Sequence, residues 1–257
     1  MPLNSLILLP NELIQSTRAR ITGSRLKELY TRHDLKPGQQ IRVGILRSKL
    51  GQAVVESVAD SALELTLELN CAPPPRQALE IIVGISRPQT LKKVIHTAVV
   101  VGCSRLHLVR CSRSEKSYLR SKVLSTDVLQ QEVLKGLEQA IDTNPPDIVV
   151  HERFRPFVED ELTSIEEQLL KLTTAGHDQR SIRKFIADTS AECLKPYSLT
   201  HSSAATILAV GPEAGWDDFE CDLFAQRKFE PLGLGVRTMR VETALAYALG
   251  LIAGRTQ

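Results

Sequence analysis

The stretch Thr206-Ile207-Leu208-Ala209-Val210-Gly211-Pro212-Glu213-Ala214-Gly215-Trp216-Asp217-Asp218-Phe219-Glu220 reads as a strand, a tight loop and the start of a helix. Thr206–Val210 has the length and apolar continuity of a strand buried on both faces of a parallel sheet. Gly211 and Pro212 continue neither a strand nor a helix. Asp217 is placed to cap the following helix, with Glu220 three residues on as its capping-box partner. In open α/β sheets, ligands bind beyond the carboxyl ends of the strands, where this loop falls. Its glycines allow close backbone approach to a ligand. Taken alone, Gly211-Pro212-Glu213 is also an ordinary turn, so the stretch decides architecture before chemistry.

Outward from this loop the pattern repeats. Leu79–Ile85, Leu106–Val109, Ile148–Val150 and Lys184–Ala187 read as strands. Between and after them, Pro88–Val101, Thr126–Ile141 (capped by Thr126 or Ser125), Glu159–Thr174 and Glu242–Ala253 read as helices. Leu162, Ile165, Leu169 and Leu172 recur at helical spacing. Strands alternating with helices predict an α/β fold, a mostly parallel sheet with helices on both faces. Before the triple proline in Cys71-Ala72-Pro73-Pro74-Pro75-Arg76 the chain reads differently. Ile41–Leu46, Gly51–Val58 and the alternating Leu63–Leu69 are short strands, with a turn at Lys36-Pro37-Gly38. This predicts a small β-barrel over residues 1–72, a stiff proline spacer, and an α/β domain over 77–257.

Hydrophobic residues make up 42% and charged residues 24% of the chain, an ordinary balance for a soluble globular protein. No apolar run is long enough to span a bilayer, so no membrane role is expected. The opening Met1–Pro10 lacks a basic start and a small-residue cleavage site, and reads as an opening segment or strand. Cys71, Cys103, Cys111, Cys193 and Cys221 are scattered without metal-ligand spacing. They read as reduced thiols of a cytoplasmic protein with no metal. The net charge of +2 is uneven: +2 over residues 1–70, +7 over 71–135 and −7 over 136–257. The basic run containing Arg110, Arg113, Lys116, Arg120 and Lys122 reads as a phosphate-facing loop, with Arg18, Arg20 and Arg25 as a second patch. His96, on an apolar helix, reads as a packed core residue.

A second informative stretch is Leu234-Gly235-Val236-Arg237-Thr238-Met239-Arg240-Val241-Glu242-Thr243-Ala244. Glu242 suits the N-terminus of the last helix. Arg237 and Arg240, beside a glycine loop, are candidates for binding phosphate or a developing anion. No glycine-rich loop of the Rossmann type follows an early strand.

The two stretches together carry a resemblance that neither carries alone. With Glu115-Lys116-Ser117-Tyr118, Glu138-Gln139-Ala140 and Phe154–Leu162, the chain resembles the 16S ribosomal RNA uracil-N3 methyltransferase family of the SPOUT superfamily. The resemblance implies a trefoil-knotted domain, a PUA-like RNA-binding barrel at the N-terminus and a homodimer. It implies S-adenosylmethionine as cofactor and 16S ribosomal RNA, within the small ribosomal subunit, as partner. By motif position, Gly211, Pro212, Glu213, Ala214 and Gly215 form one cofactor loop. Leu234, Gly235, Met239, Arg240, Val241, Thr243 and Ala244 form the other, with Ile186 and Ala187 beside them. Uridine N3 becomes nucleophilic only as its proton leaves. Arg237 and Arg240 are therefore expected to stabilise the uracil anion or a flanking phosphate. Glu242 is expected to orient an arginine, with Glu213 as the competing orienter or base. Three positions depart from the pattern. Ala214 stands where the family has glycine, Val100-Val101-Gly102 where it has Glu-Leu-Gly, and Asp188-Thr189 where it has His-Pro. If residue 214 needed a left-handed backbone, alanine would cost roughly 1 kcal/mol there. The second reading is a non-catalytic RNA-binding protein of the same fold acting in ribosome assembly.

Overall fold

The computed structural model describes residues 3–172, 181–188 and 205–252. The chain forms two compact units: residues 1–75 with 133–145, and residues 76–132 with 146–257. The units thus do not follow one another along the chain. A segment inside the span read as one continuous C-terminal domain groups with the N-terminal residues.

In the first unit the strands are β1 (Leu6–Leu8), β2 (Leu13–Gln15), β3 (Arg18–Ile21), β4 (Gln40–Ile45), β5 (Leu50–Val58) and β6 (Leu63–Cys71). They form one mixed sheet in the order β1-β4-β5-β6-β3-β2, with β1 parallel to β4 and the other neighbours antiparallel. Along β6, Leu63, Leu65 and Leu67 are buried while Thr66 and Glu68 face water, the two-residue period that fixes register. Helix α1 (Gly23–Arg32), not expected from the sequence, buries Leu26 and Leu29 against Leu6, Ile21, Val43 and Val55. Arg25 is bound within this unit. It lies 3.2 Å from the Glu12 carboxylate and donates to the Ile7 carbonyl. Ser5 donates to the Glu138 carbonyl at 2.9 Å, and the Arg47 amide to the Thr143 carbonyl at 2.7 Å.

The second unit holds the expected parallel sheet. Its strands are β7 (Leu79–Gly84), β8 (Arg105–Val109), β9 (Asp147–His151), β10 (Ile182–Asp188), β11 (Ala205–Val210) and β12 (Glu230–Gly233). They are ordered β12-β10-β11-β7-β8-β9 and are parallel at every pairing. The helices are α2 (Pro88–Val100), α3 (Thr126–Ala140, which runs on into the first unit), α4 (Phe154–Pro156), α5 (Leu162–Leu172), α6 (Asp218–Gln226) and α7 (Val241–Ile252). Side chains alternate across a strand. Ile82, Val109, Ile207 and Ala209 meet Phe157, Leu162, Ile165, Leu169 and Phe224 in one apolar cluster, while α7 packs on α2 and β11. No helix among the described residues is long and apolar enough to cross a membrane.

Several expectations shift. The helix read from Glu159 begins at Phe154 and passes through a π-helical turn, Phe157–Glu161, before α5. Leu172 is 53% exposed despite its helical spacing, because the apolar stripe ends at Leu169. His96 is only half-buried. Among the described residues the buried histidines are His107 and His151, on neighbouring strands. His107 Nε2 lies 2.9 Å from Glu80 Oε2, and His107 Nδ1 lies 3.0 Å from His151 Nε2. His151 Nδ1 then reaches Glu161 Oε2 at 3.3 Å. Phe157 covers both rings, with centroids 5.4 and 4.3 Å away. Thr173, Thr174, Thr189, Cys193 and Ala253 lie outside the described residues. Cys71, Cys103, Cys111 and Cys221 are free thiols.

Candidate active site

A cleft of about 1130 Å³ opens in the second unit where the chain leaves β7, β10, β11 and β12. Because β11 sits beside β7, the connections following these two strands turn to opposite sides, and a crevice forms where they part. Gly84, ending β7, lies so close to the next loop that a Cβ there would sit 2.4 Å from Pro212 Cδ. Glycine is needed for that approach.

The loop after β11 is held on every side. The Gly215 amide donates to the Pro212 carbonyl at 2.8 Å, closing a turn. Gly215 takes the left-handed conformation with φ of 72°. Ala214 is outside that region, so the alanine adds no strain. The expected cost applies only where φ is positive. Asp217 and Glu220 form the expected capping box, with Asp217 Oδ1 accepting from the Glu220 amide at 2.8 Å and Glu220 Oε2 from the Asp217 amide at 3.0 Å. Trp216 packs edge-on against Phe224, 5.1 Å between ring centroids. Glu213 projects to the rim, where its Oε1 accepts from the Arg87 amide at 2.9 Å.

The segment after β8 closes the other flank. The Ser112 amide donates to Glu220 Oε1 at 2.8 Å, and its hydroxyl to Asp217 Oδ2 at 2.6 Å. Burial pushes the Glu220 carboxyl above its ordinary value, against the lowering effect of the Asp217 and Ser112 amides. Arg113 Nη1 donates to the carbonyls of Ala214 and Trp216, at 3.0 and 2.8 Å. Tyr118 at the rim donates to Glu115, which raises the phenol's pKa, and accepts from the Arg87 guanidinium.

The third wall is the loop into α7. Glu242 lies 3.0 Å from Lys93 of α2, while its Oε2 is buried without a partner. Burial alone would raise the Glu242 carboxyl. Lys93, the residue's own amide and the charge of Arg240 outweigh it and hold the pKa below the usual value. Cys221, also on the wall, is pushed up to about 11 by burial and by Asp188 and Asp218, so it stays a neutral thiol.

Of the residues singled out in the sequence, Ala187, Gly211, Pro212, Glu213, Ala214, Gly215, Leu234, Met239, Arg240, Val241, Glu242 and Ala244 line this one cleft, and so does Arg113, expected instead to face RNA. Ile186, Gly235, Arg237 and Thr243 do not line it. Ile186 is buried in the core cluster behind the strand end, and Arg237 is exposed. Glu242 pairs with Lys93 instead of an arginine, a change from the expected role. The sequence reading missed Arg87, Lys93, Tyr118 and Asp188. Arg87 and Lys93 had no signal of their own, but helical spacing from Pro88 puts Lys93 and Gln89 on one side of α2. In the basic run, Lys116, Arg120 and Lys122 are exposed and Arg110 is half-exposed. Arg18 and Arg20 pair with Glu64, at 3.7 and 2.7 Å.

The chain is similar to known proteins in sequence and in fold. The chain is 29% identical over 222 residues to a ribosomal RNA small subunit methyltransferase E of Treponema pallidum (strain Nichols), covering 85% of this chain and 78% of that one. It is 24% identical over 252 residues to the protein of the same name from Synechocystis sp., covering 96% and 76%. The fold superposes on the crystal structure of ribosomal RNA small subunit methyltransferase E from Neisseria gonorrhoeae bound to S-adenosyl methionine, with a TM-score of 0.69, 17% identity, and 97% and 95% of the two chains covered. Residues 73–253 match the RNA methyltransferase domain family, a span that takes in every wall of the cleft. The chain is therefore a member of the RNA methyltransferase domain family.

Proposed function

We propose that this enzyme transfers a methyl group from S-adenosylmethionine to N3 of a uridine in 16S ribosomal RNA of the small subunit. The observation that carries the reading is the meeting of both motif loops, 211–215 and 234–244, around one cleft at the carboxyl ends of a parallel sheet. The named relatives, methyltransferases of small-subunit ribosomal RNA, support the substrate class.

The cofactor suits the residues present. A Cβ on Gly211 would lie 3.1 Å from Gly215 Cα, so glycine at 211 lets the loop close tightly on itself and bring its backbone to the cleft wall. Asp188 and Glu213 on the walls complement a cationic ligand. When bound, the cofactor supplies an electrophilic methyl group on a sulfonium.

The chain's own residues do the rest. The cleft walls align N3 with the methyl. Arg240 stabilises the negative charge that grows on the uracil carbonyls as the N3 proton passes to solvent water, while the methyl leaves the sulfonium as a neutral thioether. Glu242, ionised at neutral pH, is too weak a base to take that proton well. It holds Lys93 and favours Arg240 electrostatically at the mouth of the cleft. The target uridine must be unpaired, since pairing buries its N3 edge.

On the same reading, the second unit belongs to a trefoil-knotted domain class, and the enzyme works as a homodimer in the cytoplasm. Residues 1–72 form a PUA-like RNA-binding barrel and 77–257 the SPOUT domain. The six-stranded mixed sheet supports the first of these domains and the strand order β12-β10-β11-β7 the second. Lys116, Arg120, Lys122 and Arg110 meet RNA phosphates, with Arg18 and Arg20 beside Glu64 as the weaker patch.

The deciding experiment is methyl transfer from labelled S-adenosylmethionine to small ribosomal subunits lacking the modification, followed by nucleoside analysis. Appearance of 3-methyluridine is the expected result. No transfer to subunits or to free RNA by folded protein sinks the reading. Arg240→Ala should lower turnover by a factor of about 100 or more with cofactor affinity little changed. The reverse pattern reassigns Arg240 to cofactor binding.

A further inference from the structure

Arg113 belongs by sequence to a basic run that reads as an RNA-facing surface, yet its guanidinium points elsewhere. Nη1 donates to two carbonyls of the cleft loop, those of Ala214 at 3.0 Å and Trp216 at 2.8 Å. The two carbonyls flank Gly215, whose φ of 72° breaks the regular alternation of the backbone. Neither carbonyl belongs to a strand or helix, so without a donor each would depend on water.

Arg113 is itself held in place. The Ser114 amide donates to the Cys111 carbonyl at 3.1 Å, and the Ser114 hydroxyl accepts from the Cys111 amide at 3.2 Å, so 111–114 is a tight turn. Ser112 fastens that turn to α6 through Glu220 and Asp217. A charged donor on an anchored turn thus grips the cleft loop at its most irregular point. Charge-assisted bonds of this kind are about twice as strong as neutral ones.

We propose that Arg113 is a positioning residue for the cofactor loop and not a contact to RNA phosphate. The proposal rests on the methyltransferase reading above. By binding the carbonyls of Ala214 and Trp216, Arg113, itself on the cleft wall, fixes the conformation in which the loop's backbone meets the cofactor.

The test compares Arg113→Gln and Arg113→Lys with the unaltered enzyme. Binding of S-adenosylhomocysteine is measured by calorimetry, binding of 16S ribosomal RNA as a function of salt, and turnover under steady-state conditions. Arg113→Gln should weaken cofactor binding and raise the cofactor KM by about tenfold to a hundredfold, while kcat changes less than about threefold. RNA affinity and its salt slope should stay unchanged. Arg113→Lys, which keeps the charge and one hydrogen bond, should recover part of the cofactor affinity. RNA affinity and salt slope falling while cofactor binding holds would make Arg113 a phosphate contact and overturn the proposal. So would a drop in thermal midpoint with kcat falling in step, or no change in cofactor binding in either variant. If the unaltered enzyme itself fails to bind S-adenosylhomocysteine, the methyltransferase reading falls first and this proposal with it.

Discussion

Replacing Ala214 by Gly removes a methyl from the cleft wall without relieving any strain, because the backbone there is not left-handed. The variant should keep kcat/KM within about twofold. It should be less stable by about 0.4–1 kcal/mol, from the added freedom of the unfolded chain. A tenfold gain in activity, read by the methyl-transfer assay, would mean that the methyl obstructs the cleft. The sequence alone could not separate these outcomes, since the family's glycine pair gives no sign of which member carries the positive φ. Gly215 carries it. The fate of Arg113 was equally hidden. Nothing in a run of basic residues reveals which of them reaches a backbone carbonyl across the fold.

At the scale of elements, the helix after the cleft loop depends on its cap. Asp217→Ala removes the bond to the Glu220 amide and the one to the Ser112 hydroxyl. The expected cost is about 1 kcal/mol for the cap, and somewhat more because the Ser112 turn loses an anchor. Denaturant unfolding measures it, and a change within error would show that the helix needs no capping box. This cap was legible from the spacing of Asp217 and Glu220, as were most strands of the parallel sheet, whose apolar runs leave little ambiguity. Helix α1 was not, because its stripe is only Leu26 and Leu29 and its flanks lack strong caps. Strand β12 was missed for its shortness and its Pro231, which demotes a run toward an edge strand. β12 is indeed at the sheet edge.

At the scale of the whole molecule, the chain Glu80–His107–His151–Glu161, buried up to its exposed last member, links three strands and the π-helical turn, and it predicts a pH dependence. Burial, then the neighbouring His107 ring, depress the His151 pKa below its ordinary 6.5, against the opposing pull of Glu161; Arg105 adds to the depression. An imidazole harder to protonate in the folded state leaves that state with fewer bound protons than the unfolded chain. The stabilisation is fully present above pH 6.5 and is lost as pH falls through and below it. Urea unfolding across that range should show stability falling on acidification, with a shallower fall in His151→Gln. An identical slope in the variant would place the linkage elsewhere. Pattern in the sequence found the two classes of sheet and most of the cleft. It missed this histidine pair because the partners lie on different strands, and only the register β7–β8–β9 brings them together.

Trp216 is the chain's only tryptophan, and it stands 7% exposed on the cleft wall with its indole N–H buried and unpartnered. The protein therefore carries its own optical reporter. Emission excited selectively from indole comes from one ring, packed beside the loop that Arg113 grips. A shift in its wavelength or intensity on titrating a ligand would report on the cleft wall where that loop meets Phe154 and Phe224, with no label attached and no background from a second fluorophore of its kind.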